Sequence, residues 1–257
     1  MRLCAIIPSY RHASALPKLV EALRPACETV FIVDDGNEEP IRGAIAAAAG
    51  PGVNVLRHET NQGKGRAVAL GFRAAIASGF THALQLDADG QHDVADLPKF
   101  IAAAREAPRA LICGQALYDD SVPRARKFGR YITHFWVWVE TFSFDIADSM
   151  CGFRLYPLAP VAKLIAGAEV GARMNFDTEI AVRLHWMGVP VVNLPTRVIY
   201  PEGNVSNFQM LEDNLRISLM HTQLALQAPF RVLWKLLRAP FSEAGADRRR
   251  PSTPGSA

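Results

Sequence analysis

Short apolar runs alternate with longer amphipathic ones through the first half of the chain. LCAIIP (3–8), TVFIVDD (29–35), VNVLRH (53–58), THALQLDAD (81–89) and ALICG (110–114) are each apolar and end at Pro, Asp, Asn or Gly, the pattern of buried strands. Between them, residues 14–24, 38–49, 63–78 and 93–107 carry apolar positions at helical spacing. Strands alternating with helices predict an α/β domain, a mostly parallel sheet covered on both faces. In such sheets ligands sit outside the carboxyl ends of the strands. The polar clusters fall there: Pro8-Ser9-Tyr10, Asp34-Asp35-Gly36, Asn61-Gln62-Gly63 and Asp87-Ala88-Asp89. The second half is less regular, with helices expected near 124–144, 175–187 and 206–228 and a strand near 190–199. Residues 242–257 hold Gly, Pro, Ser and three consecutive arginines with hardly an apolar side chain, which predicts a disordered tail.

Composition narrows the class without deciding it. Of 257 residues, 49% are hydrophobic and 21% charged, as in a soluble globular protein. Cys4, Cys27, Cys113 and Cys151 are scattered with no CxxC pair, against a zinc site or disulfide framework and in keeping with a reducing, cytoplasmic setting. Lys and Arg number 28 against 25 acids, a net charge of +3, too small a surplus to suggest a nucleic-acid partner. No apolar run is long enough to span a bilayer, and the first residues do not read as a signal peptide.

In an extended segment, residues two apart point the same way, so Asp87 and Asp89 would face one point in space. Two adjacent carboxylates repel unless a cation lies between them, and carboxylate oxygens select Mg²⁺ or Mn²⁺. A solvated Asp-rich turn is the alternative. It is not an EF-hand, because Gly90 comes too early and Pro98 stands where the closing Glu belongs. Asp34 and Asp35 suit a ribose or base edge, or equally a local cap. Asn61-Gln62-Gly63-Lys64-Gly65 opens a helix where N–H groups and Lys64 could meet an anion, though an ordinary helix cap explains it as well. Val68 and His58 exclude the dinucleotide fingerprint and the P-loop.

The order IIPSY, VDDG, NQGKG and DADGQH at successive strand ends resembles the nucleotide-sugar half of glycosyltransferase family 2, and within it the polyprenol-phosphate mannosyl- and glucosyltransferase-like branch. The resemblance spans roughly residues 3 to 210. Cys151-Gly152-Phe153-Arg154, Phe176-Asp177-Thr178-Glu179 and Arg197-Val198 also look like that branch. It implies a GT-A (Rossmann-like) fold: one domain over 1–210, a C-terminal amphipathic helical segment over 211–241, and the tail. The implied activity is inverting sugar transfer from a UDP- or GDP-linked donor in cell-envelope glycan or glycolipid synthesis. The resemblance assigns Pro8, Tyr10, Asp34, Asp35, Lys64 and Asp87 to the donor, and Asp87, Asp89 and Gln91 to Mg²⁺ or Mn²⁺. Asp89, Asp177 and Glu179 become the catalytic candidates, with His92 read as a loop histidine.

For a lipid-phosphate acceptor, Arg130, Arg154 and Arg197 are the binding candidates. One departure stands out: Gly114-Gln115-Ala116 occupies the place where many members read Gly-Ser-Arg, and Arg124 or Arg126 would have to replace that arginine. Two alternatives follow, a soluble hydroxyl acceptor needing Glu179 or Asp177 as base, and a nucleotide-sugar-binding protein without turnover. On a helix Asp177 and Glu179 would point to different faces. Basic residues Arg124–Arg130 before Tyr131–Trp138, and the stretch Leu219–Leu237 broken at Pro229, fit peripheral contact with the inner face of the cytoplasmic membrane. Packing on the domain is the competing reading for both.

Overall fold

In a computed structural model, residues 1–117, 124–198 and 207–238 are described. The expected tail at 242–257 lies outside them, as do the side chains of Arg124, Arg126, Lys127, Trp234 and Lys235. Seven strands form one sheet: β1 (Leu3–Ser9), β2 (Thr29–Asp35), β3 (Val53–His58), β4 (His82–Gln85), β5 (Leu111–Leu117), β6 (Arg154–Pro157) and β7 (Val191–Arg197). Their order is β3-β2-β1-β4-β6-β5-β7. All run parallel except β6, which is antiparallel to both neighbours.

Among the described residues eight α-helices flank the sheet or pack on its flanking helices: α1 (Leu16–Leu23), α2 (Ile41–Ala47), α3 (Lys64–Ala77), α4 (Leu97–Glu106), α5 (Arg124–Thr141), α6 (Leu158–Gly167), α7 (Phe176–Trp186) and α8 (Met210–Arg238). Alternate residues of one strand enter different cores. Cys4 and Ile6 join Phe72, Tyr156 and Phe176 on one face; Leu3, Ala5 and Ile7 join Leu16, Leu23 and Phe100 on the other. Burial on both faces is why these strands read as unbroken apolar runs. Phe72 meets Tyr156 edge-on at 5.0 Å, and Phe100 stacks on Phe153 at 3.9 Å.

The predicted α/β architecture is present, with three local differences. β4 ends at Gln85 rather than 89, so Asp87-Ala88-Asp89 lies beyond the strand, in a turn closed by Gly90 at φ +71°. β6 and α6 were not anticipated, because Arg154-Leu155-Tyr156-Pro157 is short and begins with a charge. The third difference is α8, which runs unbroken through Pro229. All four cysteines are buried and unpaired; burial pushes Cys4, Cys27 and Cys151 up to about 12, so they are inert thiols.

β6 decides what meets at the working rim. Parallel strands β1, β2 and β4 end there; antiparallel β6 begins there, with Arg154 opposite Gln85. The segment Asp148–Phe153 is thereby delivered against the carboxyl end of β4.

Candidate active site

At the first two strand ends, the carboxylates are consumed by the loops that follow them. Asp34 is 2% exposed and accepts from the Asn37 backbone N–H (2.9 Å), the Asn37 side chain (2.7 Å) and Arg57. Asp35, equally buried, accepts from Asn61 Nδ2 (2.8 Å) and the N–H groups of Gln62 (3.0 Å) and Gly63 (2.8 Å), and lies 2.7 Å from His58 Nδ1. The capping role left open by the sequence is the one these side chains perform. Asn37 adds a tie to β1, donating to the Ser9 carbonyl at 2.9 Å and accepting the Arg11 N–H at 2.6 Å. Pro8 and Tyr10 are half-buried beside this network.

At the start of α3, the Gly63 N–H is spent on Asp35 and the Arg66 N–H on the Ala172 carbonyl (3.2 Å), so capping claims them here too. Lys64 is what reaches the end of β4 and the start of α7. Its ammonium lies 2.7 Å from Asp87 Oδ1, 2.9 Å from Asp87 Oδ2 and 2.7 Å from Asp177 Oδ2. Burial alone would lower the Lys64 pKa, but the carboxylates of Asp177 and Asp87 outweigh it and keep the ammonium charged. For Asp87, burial pushes upward, while Lys64 and His92 hold it below the usual carboxylate range. Asp89 is pushed up, first by burial and then by the charge of Asp87, and accepts the Gln91 backbone N–H at 3.0 Å.

Two features of this cluster bear on a cation. Asp87 Oδ1 is buried and makes no hydrogen bond, only the off-axis ion pair with Lys64. Asp89 is destabilised as an anion by its neighbour. Two neighbouring carboxylates, one with an oxygen that accepts no hydrogen bond, are a hard-cation donor set, which Gln91 could complete. Among the described residues no group of three or more His, Cys, Asp or Glu side chains converges as a metal site.

The helix α7 separates its two acids as its periodicity requires. Asp177 faces the sheet, where Gln85 donates to its Oδ1 at 2.9 Å and the Tyr156 hydroxyl donates to Gln85 at 3.1 Å. Glu179, expected as a site base or a solvent-facing residue, is 7% exposed; it accepts the Gly171 N–H (2.8 Å) and pairs with Arg183 (2.7 Å).

The three arginines have different fates. Arg154 is fully buried and donates to the carbonyls of Cys151 (2.9 Å), Ser149 (2.5 Å) and Asp177. Each is a bond to backbone, so Arg154 clamps the cleft wall rather than facing an acceptor. Arg130 pairs with Asp148 at 2.6 Å, and Asp148 also accepts the N–H groups of Ala116 (3.1 Å), Met150 (2.9 Å) and Cys151 (3.0 Å). Arg197 is exposed at the end of β7, opposite Leu117. Arg130 and Arg197 thus flank the end of β5, beside the Gly114-Gln115-Ala116 departure.

Four contributors escaped the sequence reading. His92 sits in its loop as expected but is buried there: it is 8% exposed, lies 3.5 Å from Asp87 Oδ2 and packs on Phe153. Gln85 and Asn37 are fully enclosed connectors. Gly152 lies so close to the cluster that a Cβ would stand 2.8 Å from Lys64 Nζ and closer still to the Asp87 carboxylate. Only the Gly-Phe turn hinted at it.

Known proteins resemble this chain in sequence and in fold. The chain is 26% identical over 208 residues to undecaprenyl-phosphate mannosyltransferase of Micrococcus luteus, covering 79% of this chain and 85% of the relative. It is 27% identical over 226 residues to polyprenol monophosphomannose synthase of Mycolicibacterium smegmatis, covering 84% and 83%. In fold it resembles glucosyl-3-phosphoglycerate synthase from Mycobacterium tuberculosis, crystallised with Mn²⁺, UDP and glucosyl-3-phosphoglycerate. That match has a TM-score of 0.63 at 12% identity and covers 89% of this chain and 79% of the other. The family model for glycosyl transferase family 2 matches residues 4–157, from β1 to the last residue of β6, so the chain belongs to glycosyl transferase family 2, as a glycosyltransferase of GT-A fold.

Proposed function

We propose that this glycosyltransferase moves a hexose, with inversion, from a UDP- or GDP-linked donor to a polyprenyl phosphate at the inner face of the cytoplasmic membrane, using Mg²⁺ or Mn²⁺. The observation that carries the reading is the Asp87–Lys64–Asp177 cluster with Asp89 beside it, at the rim where β1, β2 and β4 end. The two polyprenyl-phosphate relatives favour the acceptor class.

Asp87, Asp89 and Gln91 are the residues that would hold the metal, which when bound supplies positive charge against the departing diphosphate. Lys64 adds a second positive charge on the same side, and Pro8 and Tyr10 border the nucleoside. Asp34 and Asp35 serve that pocket by fixing its walls. A lipid phosphate is already anionic and needs no base, only cations to orient it. Arg130 and Arg197 fill that role on either side of β5, while Arg154 holds Asp177 and the 149–151 turn in register.

A soluble hydroxyl acceptor is the second reading, favoured by the missing arginine at Ala116. It would make Asp177 the base. Both Asp177 oxygens are already engaged, by Gln85 and Lys64, which weighs against it.

The membrane setting draws support from an exposed apolar surface on α5 and α8 that includes Tyr131, Phe135, Leu219, Leu226 and Phe230. No described helix is long and apolar enough to cross a membrane. The test is transfer from UDP- and GDP-sugars, with Mg²⁺ or Mn²⁺, to undecaprenyl phosphate in anionic vesicles and to soluble alcohols. Product on the lipid phosphate alone is expected; transfer only to the alcohols would replace this reading with the second.

A further inference from the structure

The cation already at Asp87 belongs to the chain itself. Lys64 Nζ sits within 2.9 Å of both Asp87 oxygens, one of which has no other partner. The ammonium cannot be treated as a loose surface charge. Its side chain is 15% exposed, and Gly152 closes over it so tightly that a methyl group would collide. Its other anchor, Asp177, is held from three directions: Gln85 binds Oδ1, Lys64 pairs with Oδ2, and Arg154 binds the main-chain carbonyl. Asp177 is therefore a fixed post that would keep Lys64 in the cleft after it left Asp87.

We propose that Lys64 is a tethered counter-cation which competes with the divalent ion for Asp87, and that Asp177 retains it when it yields. This rests on the metal reading of Asp87 and Asp89 given above. Electrostatics sets the direction. With Asp87, Asp89 and Asp177 ionised against Lys64 and the Arg154 guanidinium behind Asp177, the cluster carries a formal charge of −1. The attraction of a divalent ion to Asp87 is reduced by an ammonium at 2.7 Å, in a region where water screens poorly. A diphosphate offers the ammonium a new anionic partner and frees Asp87. Metal and nucleotide should then bind more cooperatively than direct metal–phosphate contact alone provides, while the chain without nucleotide binds the metal weakly.

The experiment measures Mn²⁺ binding to the full chain without nucleotide, by the loss of the free-Mn²⁺ paramagnetic signal. Lys64→Gln is expected to bind Mn²⁺ about tenfold more tightly than the unmodified chain, as expected when an adjacent like charge is removed. Lys64→Arg, which keeps the charge, should stay within about threefold. Asp89→Ala is the control and should lose binding. If Lys64→Gln binds no more tightly while Asp89→Ala abolishes binding, the competition is overturned and the metal site stands. If Asp89→Ala binds Mn²⁺ unchanged, the metal reading fails and the inference with it. Should Lys64→Gln prove too unstable to purify, Lys64→Met gives the same reading through the Mn²⁺-induced rise in Tm. That rise should exceed the one in the unmodified chain; an equal or smaller rise overturns the proposal.

Discussion

The rim of β1 and β2 and the wall built from β6, α5 and α7 both bury charge, and they neutralise it differently. Asp34 and Asp35 are satisfied by donors from Asn37 to Gly63, within 28 residues along the chain. Arg154 and Arg130 find their partners at no greater range, but the partners differ in kind: Arg154 donates to the main-chain carbonyls of Cys151, Ser149 and Asp177, and Arg130 pairs with the Asp148 carboxylate. Between the two regions, Lys64 on α3 joins Asp87 after β4 to Asp177 on α7. A buried charge recognised in a motif can thus be a ligand or a brace, and its hydrogen bonds decide which. At the rim the motif charges brace the loops; on the wall Arg154 braces and Arg197 stays open.

The largest effect expected is at the junction. Asp89→Ala should lower transfer about 1,000-fold, on the scale of losing transition-state charge stabilisation, and leave the fold intact, because Asp89 is strained as an anion. Turnover assays beside circular dichroism check both; unchanged turnover, or full activity in excess EDTA, would break the donor-side reading.

Next comes the contrast among the arginines. Arg154→Met should destabilise the chain by about 3 kcal/mol, since it strips three buried carbonyls of their donor. Arg197→Ala should shift stability by less than about 0.5 kcal/mol, as for an exposed residue, while raising the acceptor KM. Urea titrations read the first comparison and steady-state kinetics the second. Equal stability losses would erase the distinction between brace and ligand.

Gly152→Ala should raise the donor KM or lower kcat by about tenfold, because the added carbon must displace Lys64 or Asp87; a tenfold change corresponds to about 1.4 kcal/mol. Unaltered kinetics would mean that the cluster yields freely.

Acid should weaken the wall. Burial pushes Asp148 upward, yet Arg130 and three backbone N–H groups hold it below the usual carboxylate range. Asp87 is depressed too, by Lys64 and His92 against its burial. A carboxyl depressed on folding stabilises the fold above its unfolded pKa, near 3.9, and that gain is lost as pH falls through the folded value. Stability measured from pH 6 to 2 should fall most below about pH 4, by about 1.4 kcal/mol for each unit by which a folded-state pKa is depressed. Asp148→Asn should flatten that decline; an identical slope would remove Asp148 from the account.

The smallest effect concerns the surface. Pelleting with anionic vesicles should exceed pelleting with neutral ones and drop when residues 229–257 are removed, with about 1 kcal/mol per basic residue at stake and lost in high salt. Equal, negligible pelleting would leave α8 as a packed helix.

The run-and-helix pattern determined most of this fold locally. Strands buried on both faces must be continuously apolar, helices must show one apolar stripe, and polar residues at strand ends must gather at one rim. Those rules placed β1, β2, β3 and α3 and collected Asp34, Asp35, Lys64 and Asp87 before any contact was known. They missed β6, whose four residues open with an arginine that only a buried ring of carbonyls can accommodate. They also took Asp87 and Asp89 as strand residues, where Gly90 turns the chain. Tertiary structure alone decided that an antiparallel strand would enter beside β4, bring Gly152 and Arg154 to the rim, and set Asp177 against Lys64. The reason is range: hydrophobic burial is written in neighbouring residues, whereas the partner of a buried charge can lie anywhere along the chain, and Lys64 and Asp177 are far apart until the sheet has closed.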